Sequence, residues 1–376
     1  MKRILIFSLA YYPHVGGAEV AIKEITDRIT GIEFHIVTMR FTVRDVKEEK
    51  IGNVVVHRVG NGAGYVSKIL FVPRAARMAL TLNKTEPFDA WWAMMSYMTL
   101  PIVLLRSIGL RLPYALTLQE GDTSAHMFGR LHILPFLPFI NYGFRHASVV
   151  QAISVFLGEW AIERKYTGPL EIIPNGVDGK KFVGEKIPHE GIVLITTSRL
   201  VHKNAIDDVI KALAFLPAQV RFVILGIGPD ESGLKALAKK MGVENRIEFV
   251  GHVDHKDIPE YLHKADMFIR PSRSEGMGNS FIEAMAAGLP VIATQEGGIA
   301  DFLFDAKRNP GLQPTGFAVD KDSSEQIAAA VQEILQHPEQ TKKIVDTART
   351  MVFEKYDWDV IANDMRQKVF GRILTV

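Results

Sequence analysis

The chain has 376 residues, 47% of them hydrophobic and 23% charged, with a formal net charge of +2 and no cysteine. That length and balance provide for two domains of ordinary size, each with its own core. The near-neutral charge, with no aromatic-basic repeat, argues against nucleic acid as a partner, and the missing thiols exclude disulfides, thiolate nucleophiles and cysteine-ligated zinc, in keeping with a reducing, cytoplasmic setting.

In chain order, RILIFS (3–8) reads as a first β-strand. Its short apolar run leads into Tyr11-Tyr12-Pro13-His14 rather than a small-residue cleavage site, so no signal peptide is expected. FHIVT, NVVVHRV, FDAWWAM, PYALTL and ASVVQAIS follow as strands, each trailed by a helix-like segment. The longest uncharged stretch, 90–105, is shorter than the ~18 residues of a membrane span and is broken by Ser96, Thr99 and Pro101. A second series begins at GIVLITTS (191–198) and continues through VRFVILGIG, RIEFVG, MFIRPS and PVIAT. Near-continuous apolar strands alternating with helices predict parallel sheets covered on both faces, and two such series predict two doubly wound domains. Between them, PNGVDGKKFVGEKIPHEG (174–191) is rich in Gly, Pro and Lys and reads as the linker. The expected division is 1–180, 181–355, and a final amphipathic helix, 356–376, with Val360, Ile361, Met365, Val369 and Phe370 on one side, packing back on the first domain.

Three constellations could carry chemistry. Gly16 and Gly17 lie where the first strand hands over to a helix, either as a tight turn or as open amides for a phosphate. Arg199 and Lys203 flank the loop after the first strand of the second series, either as a solvated face or as two cations clamping a diphosphate. In SEGMGNSFIEAMAAGLPVIAT (274–294), Gly276 and Gly278 permit a sharp turn into a short helix starting near Asn279 and Ser280. Glu283 sits within its first turns and Glu275 across the loop, as cap and solvated acid or as two readers of one ligand. No Ser-His-Asp order, no H-E-x-x-H and no acidic metal loop is present, so metal independence is expected; Asp207-Asp208 falls on a helix, and His252, His255 and His263 read as surface.

Glu275, seven residues, Glu283 and AMAAGLPVIAT resemble the signature of retaining glycosyltransferases of family 4, whose fold is GT-B. GGAE (16–19), IIPNGVD (172–178), SRLVHKNAIDDVI (198–210), LGIGPD (225–230), TGFAV (315–319) and YDWDVIA (356–362) agree in order and spacing. The resemblance implies two doubly wound Rossmann-like domains facing each other across a cleft, the first on the acceptor side and the second binding a nucleotide-diphospho-sugar such as a UDP- or GDP-sugar. It implies that Arg199 and Lys203 contact the diphosphate, that Glu283 accepts from the ribose hydroxyls, and that Glu275 lies near the transferred sugar. The amides around Gly278, Asn279 and Ser280 would approach sugar and phosphates, Gly16 and Gly17 would close over the diphosphate, and no cofactor is implied. Gln119 takes the place of a histidine that many members aim at the donor sugar, and Asn204 that of a glycine. The implied acceptor is a glycan, a lipid-linked sugar or a small molecule.

Two other readings are a GT-B epimerase or phosphorylase, for which Glu120 and Asp122 would supply carboxylates, and a non-catalytic sugar-nucleotide-binding subunit. A peripheral membrane contact is expected from 64–84 and 128–148, which mix Lys68, Arg74, Arg77, Lys84, Arg130 and Arg145 with Ile69, Leu70, Phe71, Leu80 and several aromatics.

Overall fold

The computed structural model describes residues 1–375, which form two α/β units. One comprises Met1–Asn175 together with the chain from Trp358 onward, the other Gly176–Asp357.

The first unit is built on β1 (Lys2–Phe7), β2 (Ile32–Met39), β3 (Glu48–Ile51), β4 (Val54–Val59), β5 (Ala90–Met94), β6 (Tyr114–Leu118), β7 (Val149–Ala152) and β8 (Leu170–Ile172). Their order across the sheet is β3-β4-β2-β1-β5-β6-β7-β8, parallel except for the β3–β4 hairpin. β5, AWWAM, is buried at every position because helices cover both faces. The indole of Trp92 meets its need for a partner by donating to Thr117 Oγ1 at 2.8 Å.

The last segment completes this core. Trp358, Ile361, Ala362, Met365, Val369, Phe370 and Ile373 pack with Ile4, Phe34 and Trp92, and the Phe370 ring lies 5.0 Å from that of Trp92. Val360, expected on the apolar side, is instead exposed: at 100° per residue it falls outside the stripe through 358, 361, 362 and 365. The unit boundary falls at Asn175/Gly176 rather than after residue 180. Val177 pairs with Asp357 and donates to the Tyr356 carbonyl at 2.7 Å, which binds 176–180 to the second unit.

The second unit contains β9 (Ile192–Thr197), β10 (Val220–Leu225), β11 (Ile247–Gly251), β12 (Met267–Arg270), β13 (Val291–Ala293) and β14 (Phe317–Ala318). The sheet is wholly parallel in the order β11-β10-β9-β12-β13-β14. Leu194, Phe222, Ile224, Met267, Ile269 and Ile292 form its apolar centre with Val209, Ile210 and Val331 from the helices.

Candidate functional site

A doubly wound sheet leaves a crevice outside the carboxyl ends of its strands where the strand order reverses. In the second unit the chain runs outward from β9 to β10 and β11, then returns to place β12 on the other side of β9. The reversal is therefore flanked by the loop after β9, which carries Arg199 and Lys203, and the loop after β12, which carries Glu275 and leads to Glu283. Sequence separation hides this neighbourhood; topology creates it.

The loop after β9 is stitched down by backbone. Ser198 and Leu200 donate to the carbonyls of Leu225 and Ile227, and the Asn204 side chain donates to the Arg199 carbonyl at 2.6 Å. Arg199 itself is exposed, and no carboxylate among the described residues pairs with it. Lys203 lies half-buried in the turn His202–Asn204.

Arg273 ties the two loops together. Its amide donates to the Lys203 carbonyl at 2.7 Å and its guanidinium to the His202 carbonyl, Asp207, Asp208 and Asp322. Burial works against charge here, yet hydrogen bonds from Arg273 and Lys211 outweigh it and hold the Asp207 carboxyl down to about 2. Asp207 and Asp208 thus serve the loop scaffold on the helix Ile206–Ala212.

The loop after β12 turns through Gly278, at φ +87°, into the helix Asn279–Ala286. A Cβ at Gly278 would fall 2.6 Å from the Phe281 ring and 2.7 Å from Arg270 Nη2, so only glycine fits. Glu275 accepts from Arg270 Nη2 at 2.9 Å and from the Gly276 amide at 3.0 Å. Its carbonyl takes the Gly298 amide at 3.0 Å, and Gly297, at φ +60°, lies so close that a Cβ would sit 2.0 Å from that oxygen. Ser280 Oγ accepts from Arg270 Nη1 at 2.7 Å. Glu283, 8% exposed, meets His255 Nε2 at 2.8 Å. His255 is exposed as expected of a surface residue, but it is engaged with this carboxylate rather than idle.

In the first unit Gly16 caps the helix Gly17–Arg28, and its amide donates to Glu19 Oε2 at 2.7 Å. Part of the anion site expected there is thus filled by the protein's own carboxylate, whose pKa burial raises against the pull of the amides. The space beside Gly17 is open. Gln119 and Asn175 exchange amide hydrogen bonds at 2.9 and 3.3 Å, which fixes the Gln119 side chain at the carboxyl end of β6. Glu120, 1% exposed, is not presented to a substrate. It accepts from the Ser96 amide and hydroxyl at 2.6 and 2.5 Å, supporting the turn at Met95, a non-glycine residue at φ +74°. That enclosure removes Glu120 as the acid or base an epimerase would require.

Arg270, Arg273 and His255 are the residues sequence reasoning missed. Each is a lone basic residue beside a turn, with partners up to 73 positions away, and no local signal distinguishes it from a solvated charge.

Residues 166–351 match the family model described as glycosyl transferases group 1. That segment, which includes every strand of the second unit, belongs to the family. An uncharacterized glycosyltransferase of Methanocaldococcus jannaschii is 22% identical over 98% of this chain and 97% of its own. A GDP-mannose-dependent alpha-(1-6)-phosphatidylinositol monomannoside mannosyltransferase of Mycobacterium tuberculosis is 31% identical over 51% of this chain and 54% of its own. Among solved structures, sucrose-phosphate synthase from Thermosynechococcus elongatus superposes with a TM-score of 0.85 at 18% identity, covering 100% of both chains. The fold of this glycosyltransferase is thus GT-B, its two sheets those expected from the strand series, parallel throughout but for the β3–β4 hairpin.

Proposed function

We propose that this glycosyltransferase moves a sugar from a nucleotide-diphospho-sugar to a glycan, lipid-linked or small-molecule acceptor, with retention of anomeric configuration and without a metal, as in family 4. One observation carries the reading: the cation pair Arg199/Lys203 and the carboxylate pair Glu275/Glu283 border a single strand-order reversal. A GDP-mannose-dependent relative supports the donor class. As the bond from the anomeric carbon to the diphosphate breaks, negative charge grows on the leaving group, and Arg199, Lys203 and the amino end of the helix Asn279–Ala286 stabilise it. The acceptor oxygen bonds the anomeric carbon on the same face, and its proton passes to the departing phosphate oxygen. Glu283 reads ribose hydroxyls, and Glu275 the transferred sugar. The test is a screen of UDP- and GDP-sugars for nucleoside-diphosphate release, with and without chelator, the product anomer being read by NMR. Release that demands a divalent ion, or an inverted product, overturns the corresponding part.

The acceptor side includes a membrane contact. The helix Tyr65–Thr85 exposes Tyr65, Val66, Ile69 and Leu70 beside Lys68 and Arg77, and the segment from Arg130 exposes Leu131, Leu134, Phe136 and Phe139. Tyr65 and His132 rings meet at 5.6 Å, joining the two into one patch. Phe71 does not contribute, being buried in the first unit. No acidic residue occurs between Glu49 and Glu86 or between Asp122 and Glu159. An apolar patch with uncompensated positive charge suits an anionic bilayer surface, at about 1 kcal/mol per basic residue. Among the described residues no helix is long and apolar enough to cross a membrane. Sedimentation with phosphatidylglycerol vesicles at low salt, lost with phosphatidylcholine or on Lys68→Glu/Arg130→Glu, is the expected outcome; equal recovery in all supernatants overturns it.

A further inference from the structure

We infer that Arg270 is a positioning residue for transfer: it fixes the orientation of the Glu275 carboxylate. The inference rests on the role proposed above for Glu275.

Arg270 closes β12 at the strand-order reversal and is only 5% exposed. Its Nη1 donates to the Thr197 carbonyl at 3.1 Å and to Ser280 Oγ at 2.7 Å, and its Nη2 donates to Glu275 Oε2 at 2.9 Å. The guanidinium also lies 4.2 Å over the Phe281 ring. One planar group therefore touches the end of the strand that leads to Arg199, the loop carboxylate, and the first turn of the helix that carries Glu283. The turn at Gly278 leaves no room for a side chain because the Phe281 ring and the guanidinium together occupy it. A charge so far from water is costly unless paired, and the pair it finds is Glu275.

A fork with fixed geometry sets where this mostly buried carboxylate points, which a single ammonium cannot do. Arg270 thus acts through Glu275 and is expected to touch neither donor nor acceptor.

The experiment uses the full chain as Arg270→Met, Arg270→Lys, Glu275→Gln and the double Arg270→Met/Glu275→Gln. Transfer from the donor accepted in the screen is followed under steady-state conditions. Nucleoside-diphosphate affinity is measured by calorimetry. Arg270→Met is expected to lower kcat on the order of a hundredfold, the scale of a misplaced reacting group, while affinity changes by less than roughly threefold. Arg270→Lys, which keeps the charge but not the fork, should recover only part of that loss. The double variant should be no slower than Glu275→Gln alone. Wild-type kcat in Arg270→Met, or additive losses in the double variant, overturn the inference. Should Arg270→Met not fold, Arg270→Lys takes its place: a lowered kcat upholds the inference and an unchanged kcat overturns it. A wild-type protein inert with every donor overturns the transferase reading instead, and the inference falls with it.

Discussion

Glu283 Oε1 and His255 Nε2 lie 2.8 Å apart, a buried carboxylate held by a side chain that is itself 63% exposed. One oxygen is thereby oriented from outside, leaving the group ready to accept from a ligand's hydroxyls. Those hydroxyls do not change during transfer, so the contact contributes to binding rather than to rate. Glu283→Ala is expected to weaken nucleoside-diphosphate binding roughly tenfold to hundredfold, the scale of a lost hydrogen bond to a charged group. Its kcat should stay within severalfold of wild type. Calorimetry beside steady-state kinetics checks this; unchanged affinity removes the ribose role.

In the proposed reaction Arg199 and Lys203 would face charge that grows as the diphosphate leaves. Arg199→Gln or Lys203→Gln should therefore reduce kcat by roughly a hundredfold, about 3 kcal/mol of transition-state stabilisation, with a smaller change in affinity. A variant that loses only affinity would show ground-state binding alone.

Glu275→Gln keeps the shape of the side chain and one of its two acceptor oxygens but not its charge. Nucleoside-diphosphate affinity is expected to remain near wild type, because the role proposed for the group is to read the sugar, while turnover is lost. Near-normal turnover would leave Glu275 with no more than a loop-holding part, through its carbonyl contact to Gly298.

Stability should depend on pH through the first unit. His57, 3% exposed, stacks on His35 with ring nitrogens 3.0 Å apart, and its other nitrogen meets Glu48. Beyond His35 lie Glu33 and Arg3. Burial first, then His35, push the His57 pKa below its ordinary 6.5 despite Glu48. The folded form holds the neutral ring, so the unfolded chain takes up protons first as pH falls. Stability is complete above about pH 6.5 and declines as pH drops from there toward the folded value, at most ~1.4 kcal/mol per unit. All four tryptophans, Trp91, Trp92, Trp160 and Trp358, belong to this unit, so their fluorescence reports its melting alone. The melting temperature should fall below about pH 6.5 in the wild type and stay flatter in His57→Gln; parallel curves would refute the assignment.

The sequence made legible the strands that parallel pairing buries on both faces, because those must be apolar at nearly every position. It concealed β3, whose EEKI is mostly charged and is held by a hairpin, and β14, which is only two residues long. The glutamates, the cation pair and the glycines were visible because short-range spacing carries them. Arg270 and Arg273 were not, since what makes them structural is enclosure by loops from distant strands. The same holds for Glu120, which as a string of letters beside Asp122 looked like an exposed acid. Only the fold shows Ser96 taking one of its oxygens and the Gln119 amide the other.

The segment from Trp358 onward lies in the core of the first unit, so Gly176–Asp357 is in effect inserted into the other unit's chain. This dictates an order of assembly during synthesis. Gly176–Asp357 is contiguous and has every strand of its sheet once Asp357 has left the ribosome. The earlier-made unit must wait with Phe34 and Trp92 uncovered until Phe370 emerges to pack on them. The part translated first is thus completed last, and it is the part exposed to chaperones and proteases while translation proceeds.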